Sequence, residues 1–186
     1  MMRSAAYLGC FLVGFSAHAD QRTVAEMFRA VNPSELVVAF VGHCVHNAGR
    51  LDKVGAAAVA LKYADTPEPF RTMLAPQAGD ALYHSWFVVE GEGSPYMLGI
   101  SEAQLNGVTN QICAVSNPFL SADMVVQELG RLVELGRVIS DETIAGQRTR
   151  VWLTPDILEG AFITSNDIGG MGYEGVTLAI AAPKQY

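Results

Sequence analysis

Hydrophobic residues recur at three- and four-residue spacing in four segments of the chain, which is the spacing of one face of an α-helix. The predicted helices cover residues 23–31, 33–47 and 51–63 and a segment that begins after Ser121. Asn32 is suited to cap the second helix, and Pro33 to its first position. The same segment is rich in β-branched residues, so a strand is the competing interpretation for residues 33–47.

Aromatic and β-branched residues mark other segments, and this composition is typical of strands. Three such segments, separated by turns that contain glycine, predict an antiparallel meander. Three more strands and a short additional one follow the last helix. The predicted strands cover residues 83–89, 96–100, 109–116, 137–139, 148–153, 160–164 and 175–181.

The order of elements is helices, a meander, one helix and a second meander. A doubly wound parallel sheet would need strands and helices to alternate, and the chain has no such alternation. We therefore predict an α+β fold, with an antiparallel sheet of about six to seven strands and helices packed mainly on one face. The repeated order of helix and meander suggests an ancient duplication, but the two halves share no matching residues.

The first nineteen residues have the layout of a secretory signal peptide. Arg3 is followed by an apolar run and then by Ala17-His18-Ala19, a small-x-small cleavage pattern. The run is shorter than the about 20 residues that span a bilayer. Cys10 lies inside the run, whereas a lipidated cysteine would lie at its end. We expect cleavage after Ala19, a single globular domain over residues 20–186, and a periplasmic or secreted location.

Acidic residues outnumber basic ones along the chain. There are 12 Lys and Arg against 19 Asp and Glu, and loss of residues 1–19 removes only Arg3, which leaves 11 − 19 = −8. A surface of this sign repels phosphate backbones, and the chain has no basic stripe, so we expect no nucleic-acid partner. The mature chain also has no apolar segment long enough for a membrane span.

Two cysteines remain after cleavage, Cys44 and Cys113. An exported protein with an even number of cysteines favours a disulfide, because its compartment is oxidising. His43 and His46 flank Cys44 and raise two alternatives, a metal site and an activated thiol. A structural zinc site needs four ligands, and neighbouring side chains on a helix point about 100° apart. We expect the disulfide, no metal site and no cofactor.

Residues that could support hydrolysis are present without a recognisable motif. His84 could act as a base, with Asp80 or Asp167 as its carboxylate. The chain has no Gly-x-Ser-x-Gly elbow to present a serine. The glycine-rich residues 166–173 lack the strand-to-helix context of a phosphate-binding loop. We therefore assign no catalytic residue.

Aromatic residues of the predicted strands are the candidate ligand-binding residues. Core packing is their usual role, but a sheet with helices on one side leaves its other face accessible to a ligand. The candidates are Tyr83, Trp86, Tyr96 and Trp152.

The expected function follows from the export signal and from the lack of a catalytic motif. We expect an exported, non-catalytic domain that binds a small ligand or a protein partner. One alternative is a small secreted hydrolase that uses His84 with a nearby carboxylate. The other is a metal-handling protein that uses His43 and His46.

Overall fold

The computed structural model describes residues 32–71, 82–89, 95–105, 107–167 and 174–185. The predicted signal peptide and the predicted helix at residues 23–31 lie outside these ranges. The helices are α1 (Pro33–His43), α2 (Leu51–Ala60), the one-turn α3 (Glu68–Arg71) and α4 (Ala122–Leu132), with a 3₁₀ turn at Val45–Asn47. The strands are β1 (Ala64–Asp65), β2 (Tyr83–Val88), β3 (Tyr96–Leu105), β4 (Val108–Asn117), β5 (Val138–Ile144), β6 (Gln147–Leu153), β7 (Phe162–Asp167) and β8 (Val176–Pro183).

The eight strands form one antiparallel sheet in the order β1-β2-β3-β4-β8-β7-β6-β5. Four consecutive strands make each half of the sheet, and the last strand of each half, β4 and β8, pair at the centre. The α+β class and the antiparallel sheet are confirmed, but the sheet has eight strands, not six to seven. The additional strand is β1. It has only two residues, which is too few for an alternating pattern to show in the sequence.

Residues 33–43 are helical, which decides between the two interpretations of this segment. Asn32 Oδ1 accepts a hydrogen bond from the Ser34 backbone N–H at 2.9 Å, so the cap is the one that the sequence predicts. Val37 and Phe40 on the inner face are fully buried. Burial of this face outweighs the small helix penalty of β-branched residues.

The main core lies between the helices and one face of the sheet. The register of β4, β8 and β7 places Cys113, Ile180 and Ile163 side by side on that face. They share one cluster of buried residues with Phe40 of α1 and Leu129 of α4. The two helices also pack against each other, so they close the core over the junction of the two halves.

The centre of the opposite face of the sheet is buried as well. Met97, Ala114 and Ala181 alternate along their strands with the core-facing residues, and all three are buried. The expectation of an accessible second face therefore does not hold at the centre of the sheet. A ligand site has to be sought at the margins, where helices meet strand ends.

Candidate functional site

A covalent bond joins the end of α1 to the central strand β4. Cys44 caps the C-terminus of α1, and Cys113 lies in β4 on the core side of the sheet. Their Sγ atoms are 2.01 Å apart and their Cα atoms 5.2 Å apart, which is the geometry of a disulfide. The predicted pairing is confirmed, and Cys44 is therefore neither a free thiol nor a metal ligand.

The two histidines beside Cys44 have separate surroundings. His43 Nε2 lies 2.9 Å from the Tyr96 hydroxyl and 3.3 Å from the Tyr63 hydroxyl. His46 lies in the 3₁₀ turn, where its carbonyl oxygen accepts a hydrogen bond from Arg50. In the described part of the chain, no three His, Cys, Asp or Glu side chains are grouped as a metal site would require. The metal-handling alternative therefore gains no support from this geometry.

The four predicted ligand-binding aromatics do not share a surface. Trp86, Tyr96 and Trp152 are buried in the core between the sheet and the helices. Tyr83 is half-buried and lies on the other side of β2. Tyr83 lines a groove beside α2, and Tyr96 lines a cavity beside α1. Ligand binding by these residues stays a prediction, with two tyrosines that reach separate cavities.

A groove of about 610 Å³ runs between α2 and the sheet, and we call it the α2 groove. Small-molecule sites commonly have volumes of roughly 300–1,000 Å³. The apolar residues that line the groove are Leu51, Gly55, Ala56, Leu82 and Ile100. A Cβ at Gly55 would come no closer than 4.0 Å to another atom, that of Ile100 Cδ1. The missing side chain at Gly55 therefore leaves space between the helix and the sheet.

A row of polar side chains forms one wall of the α2 groove. Gln111 Nε2 and Lys184 Nζ both donate to Glu102 Oε1, at 2.8 and 2.9 Å. The Gln111 amide oxygen in turn accepts from the Leu51 backbone N–H at 2.9 Å, a group that a helix start leaves without an internal partner. The hydrogen bond from Gln111 and then that from Lys184 hold the pKa of Glu102 below its ordinary value. The groove thus contains an ionised carboxylate that is tied to both α2 and the C-terminal segment.

His84 of β2 lines the same groove and pairs with a carboxylate. Its Nε2 lies 2.9 Å from Asp65 Oδ1, and its ring lies on Trp86 with a centroid distance of 4.4 Å. The prediction of Asp167 as the partner is wrong, because Asp167 lies in β7 near Arg150. The other predicted partner, Asp80, lies outside the described residues. The short β1 brings Asp65 beside β2, and sequence reasoning did not find that strand.

A second cavity of about 100 Å³ adjoins His84, and we call it the notch. Its lining residues are Asp65, Thr66, Arg71, His84 and Ser85. Thr66 and Ser85 are only 6% and 5% exposed, and among the described residues neither hydroxyl has a hydrogen-bond partner. The notch is therefore a polar cavity with two buried hydroxyls whose hydrogen-bonding capacity is unused.

Tyr83 connects the notch to the groove. Its hydroxyl donates to the Arg71 carbonyl oxygen at 2.8 Å, while the side chain lines the α2 groove. Burial raises the pKa of the Tyr83 phenol, and the nearby Ser85 hydroxyl and the charge of Arg71 lower it in part. The Ser85 hydroxyl approaches the Tyr83 phenol without meeting hydrogen-bond geometry, and no other described residue hydrogen-bonds it.

Sequence reasoning did not find Glu102, Gln111 or Lys184. The signal for Glu102 was available, because it follows Leu98 and Ile100 at period two and is therefore a charge on the core-facing side of a strand. Lys184 gives no such signal, since its contact with Glu102 depends on the pairing of β8 with β4.

Comparisons with known proteins do not assign this chain to a family. No protein-family model, curated protein or solved structure matches the chain. None of the described helices combines the length and hydropathy that crossing a membrane requires.

Proposed function

We propose that this chain is an exported, non-catalytic protein that binds a small amphipathic molecule in the α2 groove. The observation that carries the proposal is the groove itself, because it combines a suitable volume, an apolar lining and several polar groups. The export part of the proposal is supported by the pattern of residues 1–19 and by the Cys44–Cys113 bond, since disulfides persist in oxidising compartments.

The lining of the groove defines what kind of ligand fits. Leu51, Ala56 and Ile100 offer apolar surface, on which each buried methylene contributes about 0.8 kcal/mol. Glu102 and His84 offer polar groups that fix the orientation of a ligand. A purely apolar molecule would displace water from those groups and offer no hydrogen bond in return, and a purely polar one would gain nothing from the apolar wall. The groove therefore favours a molecule with both characters.

The cavity beside α1 is the weaker candidate for the ligand site. Its volume is about 460 Å³, and it is lined mainly by the surface of α1, including Val38, Ala39 and Gly42. His43, one of its polar residues, already contacts the Tyr96 and Tyr63 hydroxyls. Fewer polar groups converge there, so orientation of a ligand would be less specific.

The test is to fill the groove and measure binding of a neutral fluorescent dye, N-phenylnaphthylamine. Gly55→Leu places a side chain between α2 and Ile100, whereas Gly130→Leu adds the same side chain to the exposed surface of α4, where a Cβ meets nothing within 4 Å. We expect saturable binding by the unmodified protein and by Gly130→Leu, and at least about tenfold weaker binding by Gly55→Leu. No saturable binding, or equal binding by all three, would contradict the proposal.

A hydrolase remains the second candidate because His84 and Asp65 form a hydrogen-bonded pair at the groove. A hydrolase of this kind also needs a nucleophile within reach of the histidine. Among the described residues, no hydroxyl is hydrogen-bonded to His84. Turnover of p-nitrophenyl butyrate that is lost in both His84→Gln and Asp65→Asn would favour the hydrolase. Turnover that neither variant changes would exclude this pair as its catalyst.

A further inference from the structure

We propose that the notch is a subsite for an oxyanion, and that it takes the carboxylate end of the ligand whose apolar body lies in the α2 groove. This inference rests on the proposed function, because the apolar body must occupy the groove. His84 lines both cavities, so they adjoin at this residue.

The two buried hydroxyls are the first reason. Thr66 directly follows β1 and Ser85 lies in β2, and the Thr66 backbone N–H donates to the Ser85 carbonyl oxygen at 3.1 Å. Both residues line the notch, and within the described part of the chain neither side-chain oxygen has a hydrogen-bond partner. A buried hydroxyl that makes no hydrogen bond costs folding free energy, so two of them at one cavity indicate a group that they bind.

The donors around the hydroxyls define the chemistry of that group. Arg71 lines the notch, and of its five N–H donors one reaches Glu68 at 3.3 Å. A guanidinium matches the two oxygens of a carboxylate in a planar, paired arrangement. Two hydroxyl donors and a guanidinium together favour an oxyanion over a neutral or cationic group.

The carboxylates near the notch do not cancel this preference. Asp65 is 81% exposed and already accepts a hydrogen bond from His84, and Glu68 is likewise exposed and paired with Arg71. Water screens such exposed charges, whereas the hydroxyls of Thr66 and Ser85 are shielded from solvent. Asp65 does line the notch, but its charge is screened by solvent and by its bond with His84, so it opposes an anion less than the shielded donors favour one.

The size of the notch limits the group to a small one. A volume of about 100 Å³ corresponds to roughly three water molecules at about 30 Å³ each. A carboxylate fits this space, but an alkyl chain or a ring does not. The rest of the ligand must extend past His84 into the α2 groove.

The experiment compares two ligands with the same chain, decanoate and decanol, as competitors of N-phenylnaphthylamine. The notch variant is Thr66→Val with Ser85→Ala. Its matched control is Thr154→Val with Ser165→Ala, because those hydroxyls are also buried and have no partner in the described ranges, but Thr154 follows β6 and Ser165 lies in β7, in the other half of the molecule. We expect decanoate to bind at least about tenfold more tightly than decanol, since hydrogen bonds to a charged group are strong. The notch variant should lose this preference without weakening decanol, and the control should keep it.

The outcomes separate this inference from the proposed function. If decanoate and decanol compete equally, or if the notch variant keeps the preference, the oxyanion subsite is wrong while the groove proposal stands. If neither ligand competes and Gly55→Leu changes nothing, the groove proposal fails. Acetate alone then tests the notch: saturable shifts of the Thr66 and Ser85 amide resonances would support the subsite, and unchanged resonances would overturn it.

Discussion

The two halves of the molecule fasten their helices to the sheet by different means. In the half from α1 to β4, the disulfide joins Cys44 after the helix to Cys113 in the central strand. In the half from α4 to β8, Arg150 of β6 donates to Asp123 Oδ1 of α4 at 2.9 Å. One connection is covalent, and the other is a charged hydrogen bond that is partly open to solvent.

The charged connection belongs to a larger network. Arg148 donates to both oxygens of Asp141, each at 2.8 Å, and lies 3.7 Å from Asp123. The contact with Asp141 also holds the pKa of Arg148 above its usual range. Salt and acid weaken a network of this kind, whereas they leave a disulfide intact. The groove lies mainly in the disulfide-linked half.

Removal of the disulfide should have the largest effect on stability. The bond closes a loop with a sequence separation of 69 residues, and in the chain-entropy model such a constraint contributes about 4 kcal/mol. Cys44→Ala with Cys113→Ala should therefore lower the free energy of unfolding by about that amount, as measured by urea denaturation. Excess reductant should reduce the stability of the unmodified protein to that of the variant. Equal stability of the oxidised protein and the variant would show that the covalent link is not what holds this half.

Gly49 contacts the segment at the end of β8. Its substitution should have the next largest effect on stability. Its φ is +72°, its carbonyl oxygen accepts from the Gln185 N–H, and a Cβ there would lie 2.5 Å from the Pro183 carbonyl oxygen. Gly49→Ala combines an unfavourable backbone conformation with a clash, so we expect a loss of about 2–3 kcal/mol in urea denaturation.

The matched control for that substitution is Gly42→Ala in α1. A Cβ at Gly42 meets nothing within 4 Å, and alanine is the better helix former, so stability should rise by about 0.5–1 kcal/mol. Gly49→Ala should also weaken dye binding, because the displaced segment carries Lys184 to the groove wall. A stable Gly49→Ala variant with unchanged binding would show that the two halves meet elsewhere.

Local patterns predicted the elements of both halves well, and they failed where an element was short. The spacing of Leu36, Val37 and Phe40 and the cap at Asn32 predicted α1. The buried face of a helix is visible in its own sequence, because apolar residues recur there every three or four positions. β1 could not be foreseen, since its two residues are held in place by pairing with β2 and carry no pattern of their own.

The site was less predictable than the fold, because it is assembled from distant segments. The disulfide followed from counting cysteines, but the meeting of Lys184 with Glu102 spans 82 positions and depends on the register of three strands. Aromatic side chains were a poor guide to the site. Side chains alternate between the two faces of a strand, and the sequence pattern does not show which face is covered by helices. Trp86 and Trp152 lie on the core side.

Arg150 tests the charged connection of the second half, with an effect that we expect to be smaller than those above. Its side chain is 10% exposed and lies between Asp123 at 2.9 Å and Asp167 at 3.8 Å. Arg150→Met keeps the aliphatic bulk beside Trp152 but removes the charge, so we expect a loss of about 2 kcal/mol, measured by urea denaturation. Arg137→Met, at an exposed arginine of the same half, should change stability by less than about 0.5 kcal/mol. Equal effects of the two would mean that the ion pairs of Arg150 contribute nothing measurable.

The smallest expected effect is the loss of folding stability in acid, to which one carboxylate in each half contributes. Hydrogen bonds from Gln111 and Lys184 lower the pKa of Glu102 from its ordinary 4.5, and hydrogen bonds from Arg148 lower the pKa of Asp141 from its ordinary 3.8. Because both pKa values are lower in the folded state, the stabilisation is complete above the ordinary values and is lost as the pH falls through the lowered ones. Glu102→Gln should therefore flatten the stability profile below about pH 4.5, and Asp141→Asn only below about pH 3.8.

Salt should separate these two carboxylates further. At about 1 M salt the screening length is about 3 Å, which weakens exposed pairs first. The more exposed Asp141–Arg148 pair should lose most of its contribution to the acid profile, whereas the less exposed Glu102, which also accepts from Gln111, should keep more of its own. Stability measured from pH 5 to 2 at low and high salt checks this order. If salt changed the effects of Glu102→Gln and Asp141→Asn on stability equally, solvent would reach both carboxylates equally. The contrast between the two halves would then rest on the disulfide alone.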